Sequence, residues 1–218
     1  MFIKSEQKTF STYFIKFRTK YNSEVFLLDE FCGLLLPEDH VPDDEIACGD
    51  CGLKDHGSRM IWGEGNPDAG LFVLLDNPGA REDRNGEPFV CGRRITLPKS
   101  VNHVGLSVDD VYVSWVLKRR PTKKYDQDET RRICMRHLKD QLSEIKPKIV
   151  VCLGNVAVQS FFRDESVDVK GLRGQVHQIN GVDLITAYHP LDLRRQPNLW
   201  PVFVKDWKLV TNTYLHKI

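Results

Sequence analysis

The sequence predicts an α/β protein: a three-layer α/β/α sandwich with a central, mostly parallel, four-stranded sheet. Four short apolar runs, each bounded by turn residues, have the length and composition of buried strands. Helical patterns separate these runs, and strands that alternate with helices form parallel sheets covered on both faces. The chain has 218 residues, 41% of them hydrophobic, which is enough for one core.

The predicted elements follow one another along the chain. Strands are expected at residues 71–75, 111–117, 149–153 and 182–187. A helix or turn is expected within residues 97–106, and helices over about 128–145, over 156–162 and from Trp200 onward. Aromatic residues at three- and four-residue steps indicate helices near the N-terminus. Residues 1–45 are therefore predicted to form a helical extension packed on the main domain, residues 46–218, with a loop from Pro37 to Asp44.

Composition narrows the classes of function. The formal net charge is only +1, so nucleic-acid binding would depend on local basic clusters, each of which is equally compatible with a solvated surface. No apolar run approaches about 18 residues, and the N-terminus lacks a signal-peptide core, so we expect a cytoplasmic protein without a membrane segment. The six cysteines suggest metal binding or buried thiols before disulfides.

Two small polar residues, Asp76 and Asn77, follow the first predicted strand directly. Pro78 and Gly79 then force the chain to turn. In open α/β sheets, ligands bind at the carboxyl ends of the strands. The next segment is a polar loop that carries a single aromatic ring, Phe89.

These residues resemble a known family. The order Asp76-Asn77-Pro78-Gly79, Glu82-Asp83 and Gly86-Glu87-Pro88-Phe89-Val90 is similar to the first motif of the uracil-DNA glycosylase superfamily, in the pattern of its iron–sulfur (family-four) branch. Tyr188-His189-Pro190 resembles the second motif, and the likeness extends over residues 46–210. It implies a monofunctional DNA glycosylase, which flips a base out of DNA and hydrolyses its N-glycosidic bond with water.

The resemblance also implies roles for the residues near the first motif. Phe89 would stack on the flipped base, with Gly79 also in the base-binding set, and His189 would donate a hydrogen bond to the base as negative charge develops. Asp76 and Asn77 would place the water or stabilise the cationic sugar. The alternative that Asn77 only caps its turn remains open.

A second group of residues would contact DNA. In the loop that the resemblance implies after His189-Pro190, Leu191 or Leu193 would enter the minor groove and fill the gap left by the flipped base. Four basic residues complete the predicted DNA-binding set: Lys118, Arg173, Arg194 and Arg195.

Trp115 departs from the family pattern. The family has an asparagine here that reads the edge of uracil through paired hydrogen bonds. An indole has one donor and no acceptor, so Trp115 cannot reproduce that pairing. We therefore expect uracil or, in preference to it, another modified pyrimidine as the substrate. Alternatively, Trp115 fills the core if the local register differs by one residue.

The cysteine pattern predicts a metal centre. Cys48 and Cys51 form a C-x-x-C knuckle, which in the family-four branch supplies two of four cluster ligands; Cys134 matches a third. Arg119 stands where the remaining cysteine belongs and cannot bind a metal, which puts a [4Fe–4S] cluster in doubt. His137 shares a helical face with Cys134 and would complete a Cys3His set, which suits structural zinc. The alternatives are the iron–sulfur cluster and a site that binds nothing.

We expect DNA as the partner, no obligatory protein partner, and a monomer. Genome repair and defence against base-modified foreign DNA are both compatible with these residues. Loss of the asparagine also permits a non-catalytic relative that recognises an altered base. A covalent trap for single-stranded DNA is disfavoured, because the loop at residues 118–125 lacks the histidine of that branch.

Overall fold

The computed structural model describes residues 36–80, 83 and 93–217, which lie in a single compact unit, Phe31–Ile218. Residues 1–35 of the predicted helical extension lie outside the described residues, and so does Phe89. Residues 37–44 form a loop, as the sequence predicts.

The centre of the fold is a six-stranded sheet in the order β1-β3-β2-β4-β6-β5. The strands are β1 (Glu64–Gly65), β2 (Leu71–Leu75), β3 (Val111–Trp115), β4 (Ile149–Leu153), β5 (Val176–Ile179) and β6 (Val182–Ala187). The four inner strands are parallel, which confirms the prediction. The antiparallel edge strands β1 and β5 were not predicted, because β1 has two residues and β5 alternates between exposed and half-buried positions.

Among the described residues, six α-helices cover the sheet on both faces. They are α1 (Arg93–His103), α2 (Gln127–Ile145), α3 (Asn155–Phe162), α4 (Val169–Leu172), α5 (Pro190–Arg195) and α6 (Trp200–Leu215). Side chains of α1, α5 and α6 join one face of the sheet in a buried cluster, and those of α2, α3 and α4 join the other. This is the predicted three-layer sandwich. Among the described residues, no helix is long and apolar enough to cross a membrane.

Local sequence explains where the long helix α2 begins and ends. The carboxylate of Asp126 accepts a hydrogen bond from the backbone N–H of Glu129 at 3.1 Å and caps the first turn. Lys146 adopts a left-handed conformation (φ 48°), and Pro147 follows it, so the helix cannot continue.

One segment differs from the prediction. The residues after His189 were interpreted as a loop, but they form the short helix α5. Pro190 occupies the first turn, where its missing N–H is not needed, and the His189 side chain accepts a hydrogen bond from the Leu191 N–H. The histidine of the second motif is therefore also a helix cap.

The parallel register brings the predicted site together. Leu75 pairs with Trp115, Leu74 with Cys152, and Leu153 with Ala187. The carboxyl ends of four parallel strands thus meet along one edge of the sheet.

Candidate active site and metal centre

Two motifs that lie far apart in the sequence meet at this edge. Asp76 follows β2, His189 follows β6, and the Asp76 Oδ1 atom lies 3.4 Å from His189 Nε2. The side chain of His189 is 9% exposed and that of Asp76 is 30% exposed. A histidine and a carboxylate are thus held side by side, with the carboxylate closer to solvent.

Hydrogen bonding defines the tautomer of His189. Its Nδ1 atom accepts the Leu191 N–H at 3.1 Å, so Nδ1 carries no proton in this arrangement. The proton of a neutral ring then belongs to Nε2, which is buried and makes no hydrogen bond among the described residues. His189 therefore presents an N–H donor toward Asp76, where a ligand atom can accept it.

Gly154 makes room for this histidine. It connects β4 to α3 with φ +90°, and its N–H donates to the Ala187 carbonyl at 2.9 Å. A Cβ atom on Gly154 would lie 2.8 Å from the Cβ of His189. The close approach of the two strand ends therefore requires glycine here.

A cavity of about 470 Å³ opens beside the pair. Residues from three of the four strand ends line it, among them Asp76, Gly154, Asn155, Tyr188, His189 and Leu191. Asn77 and Gly79 belong to the turn that follows Asp76 in the sequence. The Asn77 amide donates to the Pro78 carbonyl at 2.7 Å, so this side chain stabilises its own turn.

The predicted DNA-contacting residues of α5 occupy different environments. Leu191 is half-buried and lines the cavity, whereas Leu193 is 7% exposed and belongs to the core. Arg194 and Arg195 are exposed on the same short helix. Leu191, Arg194 and Arg195 are thus accessible beside the cavity.

Trp115 ends β3 beside Leu75, is 3% exposed, and belongs to the same core cluster. It is not among the described residues that line the cavity.

Lys118, three residues later, is completely buried. Its ammonium donates to Ser114 Oγ and Gln141 Oε1, both at 2.5 Å, and burial lowers the pKa of Lys118 to about 7.

Arg173 also lies inward. It follows α4, and its guanidinium forms a bidentate ion pair with the fully buried carboxylate of Asp206. The structure therefore brings Asp76, His189 and Leu191 together, and places Lys118 and Arg173 in interior polar contacts.

The predicted metal ligands form two pairs between the same two segments. Cys48 Sγ lies 3.6 Å from His137 Nε2, and Cys51 Sγ lies 3.2 Å from Cys134 Sγ. The cysteine knuckle supplies one member of each pair and α2 supplies the other. His137 is 1% exposed, and burial is the main reason that its pKa is lowered to about 4, so the neutral, metal-binding form is favoured.

Glu45 is a further member of this centre that the sequence interpretation missed. Ligand atoms of Glu45, Cys48 and His137 lie within 4.8 Å of one another. Arg136 holds the Glu45 carboxylate at 2.9 and 3.2 Å and also donates to Cys48 Sγ at 3.1 Å. The spacing Glu45-x-x-Cys48 was the only signal in the sequence.

Arg119 does not lie among the candidate metal ligands but forms hydrogen bonds with the backbone of the segment that contains Cys48 and Cys51, residues 46–58. Arg119 is 7% exposed, and its guanidinium donates to the Ser58 carbonyl at 2.8 Å and the Ile46 carbonyl at 2.7 Å. These carbonyls flank Cys48 and Cys51 in sequence. Arg119 thus joins both ends of the segment to the end of β3.

Comparison with known proteins identifies the family. The model of the uracil DNA glycosylase superfamily matches residues 62–214, and the chain belongs to this superfamily. The type-4 uracil-DNA glycosylase of Archaeoglobus fulgidus is 31% identical over 180 residues, which cover 79% of this chain and 90% of the relative. Those of Pyrobaculum aerophilum and Thermotoga maritima are each 30% identical, over 73% and 68% of this chain and 85% and 78% of the relatives.

These relatives confirm the resemblance to the family-four branch. The chain is accordingly a monofunctional DNA glycosylase, and DNA is its substrate.

Proposed function

We propose that this DNA glycosylase releases a modified pyrimidine in preference to uracil. The single observation that carries the proposal is that Trp115 stands where the family has its uracil-reading asparagine: the indole is buried in the core beside the strand that delivers Asp76 and presents no amide to the cavity. An asparagine here would offer a donor and an acceptor to the uracil edge, whereas an indole offers one donor. When a side chain that forms hydrogen bonds with the edge of the base is lost, the specificity of the enzyme for its base is relaxed or redirected.

The chemistry that we propose uses the Asp76–His189 pair. Cleavage of the N-glycosidic bond leaves negative charge on the base and positive charge on the sugar. The Nε2–H of His189 would donate to the base as its charge grows, a kind of contribution that is worth about 10²–10³ in rate. Asp76 would stabilise the sugar cation through its field and orient the attacking water. Asn77 would keep the turn that aims Asp76.

The remaining predicted contacts belong to the same proposal. Leu191 would fill the gap left by the flipped base, and the exposed guanidinium groups of Arg194 and Arg195 would bind phosphates. Gly79 and Phe89 would complete the base-binding wall. We propose that this activity serves genome repair or defence against base-modified DNA in the cytoplasm. We propose that the enzyme acts as a monomer.

Release of free bases, measured by mass spectrometry, tests the proposal. The substrates are duplexes that contain uracil, hypoxanthine, a thymine mismatch or an enlarged pyrimidine. We expect release of a modified pyrimidine by the wild type and loss of release in His189→Ala. Efficient uracil release with no activity on modified bases would contradict the redirected specificity. Binding of altered duplexes without release of any base would instead favour the non-catalytic alternative.

We propose further that Cys48, Cys51, Cys134 and His137 hold a structural zinc ion. Tetrahedral zinc with Zn–S of about 2.3 Å and Zn–N of about 2.0–2.1 Å places sulfur and nitrogen ligands about 3.5–3.6 Å apart. The Cys48–His137 distance of 3.6 Å agrees with this value, whereas the Cys51–Cys134 distance of 3.2 Å is shorter than the roughly 3.8 Å between two sulfur ligands of tetrahedral zinc, so these two thiols must move apart when the ion binds. In an iron–sulfur cube, each ligand binds a different iron and must lie farther from the others.

The buried Nδ1 atom of His137 also supports this assignment. It makes no hydrogen bond among the described residues, but it lies 3.5 Å from the Glu45 carboxylate. Metal-binding histidines commonly donate their second ring N–H to a carboxylate, which fixes the ring. Glu45 would therefore orient His137 so that its Nε2 atom faces the metal together with Cys48.

Elemental analysis of purified protein tests the metal assignment. We expect one zinc ion per chain and no visible absorption from an iron–sulfur chromophore. Iron and acid-labile sulfide in equal amounts would contradict zinc, and protein free of both metals would mean that the cysteine centre binds none.

A further inference from the structure

Arg173 forms an ion pair that joins two separate parts of the fold. Its Nε and one terminal nitrogen donate to the two carboxylate oxygens of Asp206, at 3.0 and 2.7 Å. The same terminal nitrogen donates to the Val202 carbonyl at 3.3 Å. Asp206 is 0% exposed on α6, and the Arg173 side chain is 22% exposed. The pair therefore fixes the segment between α4 and β5 against α6.

The same guanidinium packs on Tyr188. Its central carbon lies 5.8 Å from the centre of the Tyr188 ring, within the range of a cation–π contact. Tyr188 directly precedes His189 and lines the cavity. Arg173 thus holds three elements at once: the connection after α4, the helix α6, and the residue that precedes the histidine of the site.

This geometry argues against a phosphate contact for Arg173. To reach DNA, the guanidinium would have to leave a fully buried carboxylate and expose it unpaired, which is strongly unfavourable. Arg194 and Arg195 are exposed, and neither forms a comparable buried ion pair among the described residues. A planar guanidinium that is both bidentate and stacked is also difficult to replace with lysine.

We propose that Arg173, paired with Asp206, is a positioning residue: it clamps Tyr188 and thereby keeps the His189 ring aimed at the leaving base. The proposal rests on the proposed role of His189 as the donor. Because Nε2 must lie at hydrogen-bond distance from the base, a small rotation of Tyr188–His189 would lower the rate of base release more than the affinity for DNA.

Single-turnover base release and DNA binding at several salt concentrations separate the two roles. For Arg173→Met and Asp206→Asn, we expect the single-turnover rate to fall about 10- to 100-fold. The slope of log affinity against log salt should stay unchanged. Arg173→Lys, which keeps the charge, should show a smaller loss of rate. Arg195→Met serves as the control for a phosphate contact, and its slope should fall by about one unit.

A double-mutant cycle with His189→Ala separates positioning from a purely structural role. If Arg173 acts through His189, Arg173→Met should cause little further loss in the His189→Ala background. If Arg173→Met lowers the rate by the same factor in both backgrounds, the proposal is overturned. It is also overturned if Arg173→Met lowers the slope of log affinity against log salt concentration without lowering the rate. If His189→Ala alone leaves the rate unchanged, the proposed role of His189 fails instead. Arg173→Lys supplies the same comparison if the methionine variant does not fold.

Discussion

Gly154→Ala should slow base release while leaving the fold largely intact. The new Cβ atom would lie 2.8 Å from the Cβ of His189, whereas ordinary contact begins at 3.4 Å, so the two must separate by about 0.6 Å. A displacement of 1 Å at a reacting group can lower a rate by about 10²-fold. We therefore expect a fall of about 10- to 100-fold in the single-turnover rate of base release.

Gly105→Ala provides the matched control. Gly105 has φ +80°, close to the +90° of Gly154, but an added Cβ would meet nothing within 4 Å. Both variants should lose about 1–3 kcal/mol of stability from backbone strain. Each kilocalorie corresponds to about 2–4 °C in the melting temperature of a domain of this size. The melting temperature of Gly154→Ala should fall at least as far as that of Gly105→Ala, because the contact with His189 adds to the backbone strain.

The assay is single-turnover release of the base with enzyme in excess, together with thermal unfolding of both variants. Only Gly154→Ala should combine the loss of stability with a loss of rate. If its rate stays within about threefold of the Gly105→Ala rate, contact with Gly154 does not position His189, and the reasoning fails.

Three other predictions concern the site and the metal centre. Asp76→Asn should lower the single-turnover rate about 10²–10³-fold without weakening DNA binding, because the field at the sugar is lost; a loss below tenfold would contradict that role. Glu45→Gln should weaken zinc binding about 10–100-fold in a chelator competition, and unchanged affinity would exclude Glu45 as the orienting carboxylate. Chelation should expose Cys48 and Cys51 to alkylation, mapped by peptide mass spectrometry. Cys152 should stay unreactive, because it is buried and burial raises its pKa; its alkylation in folded protein would contradict the structure.

The sequence predicted the centre of the fold because four buried runs had strand length and were separated by helical patterns. The resemblance gave catalytic roles to both Asp76 and His189, and the structure brings the two together because the carboxyl ends of parallel strands lie at one edge. The edge strands were missed for a physical reason: two residues in β1 show no periodicity, and edge positions in β5 need not be apolar.

Interior polar contacts were harder to predict. Lys118 and Arg119 occur in a basic run that resembles a solvated surface, yet both are buried: the Lys118 ammonium donates to Gln141, and the two terminal nitrogens of Arg119 donate to backbone carbonyls. Arg173 was interpreted as facing DNA, because the sequence does not reveal Asp206 as its partner. Such contacts join residues distant in sequence, so composition and spacing carry no signal for them.

The most direct test of the redirected specificity compares the rates at which an enlarged pyrimidine and uracil are released by the wild type, Trp115→Asn and Trp115→Leu. The leucine variant removes the indole without supplying an amide, and circular dichroism verifies that both variants fold. The account predicts that the wild type prefers the enlarged base. It also predicts that only Trp115→Asn shifts the ratio toward uracil, by about 10²-fold or more. A wild type that already prefers uracil, or a ratio that is the same in all three proteins, would contradict it.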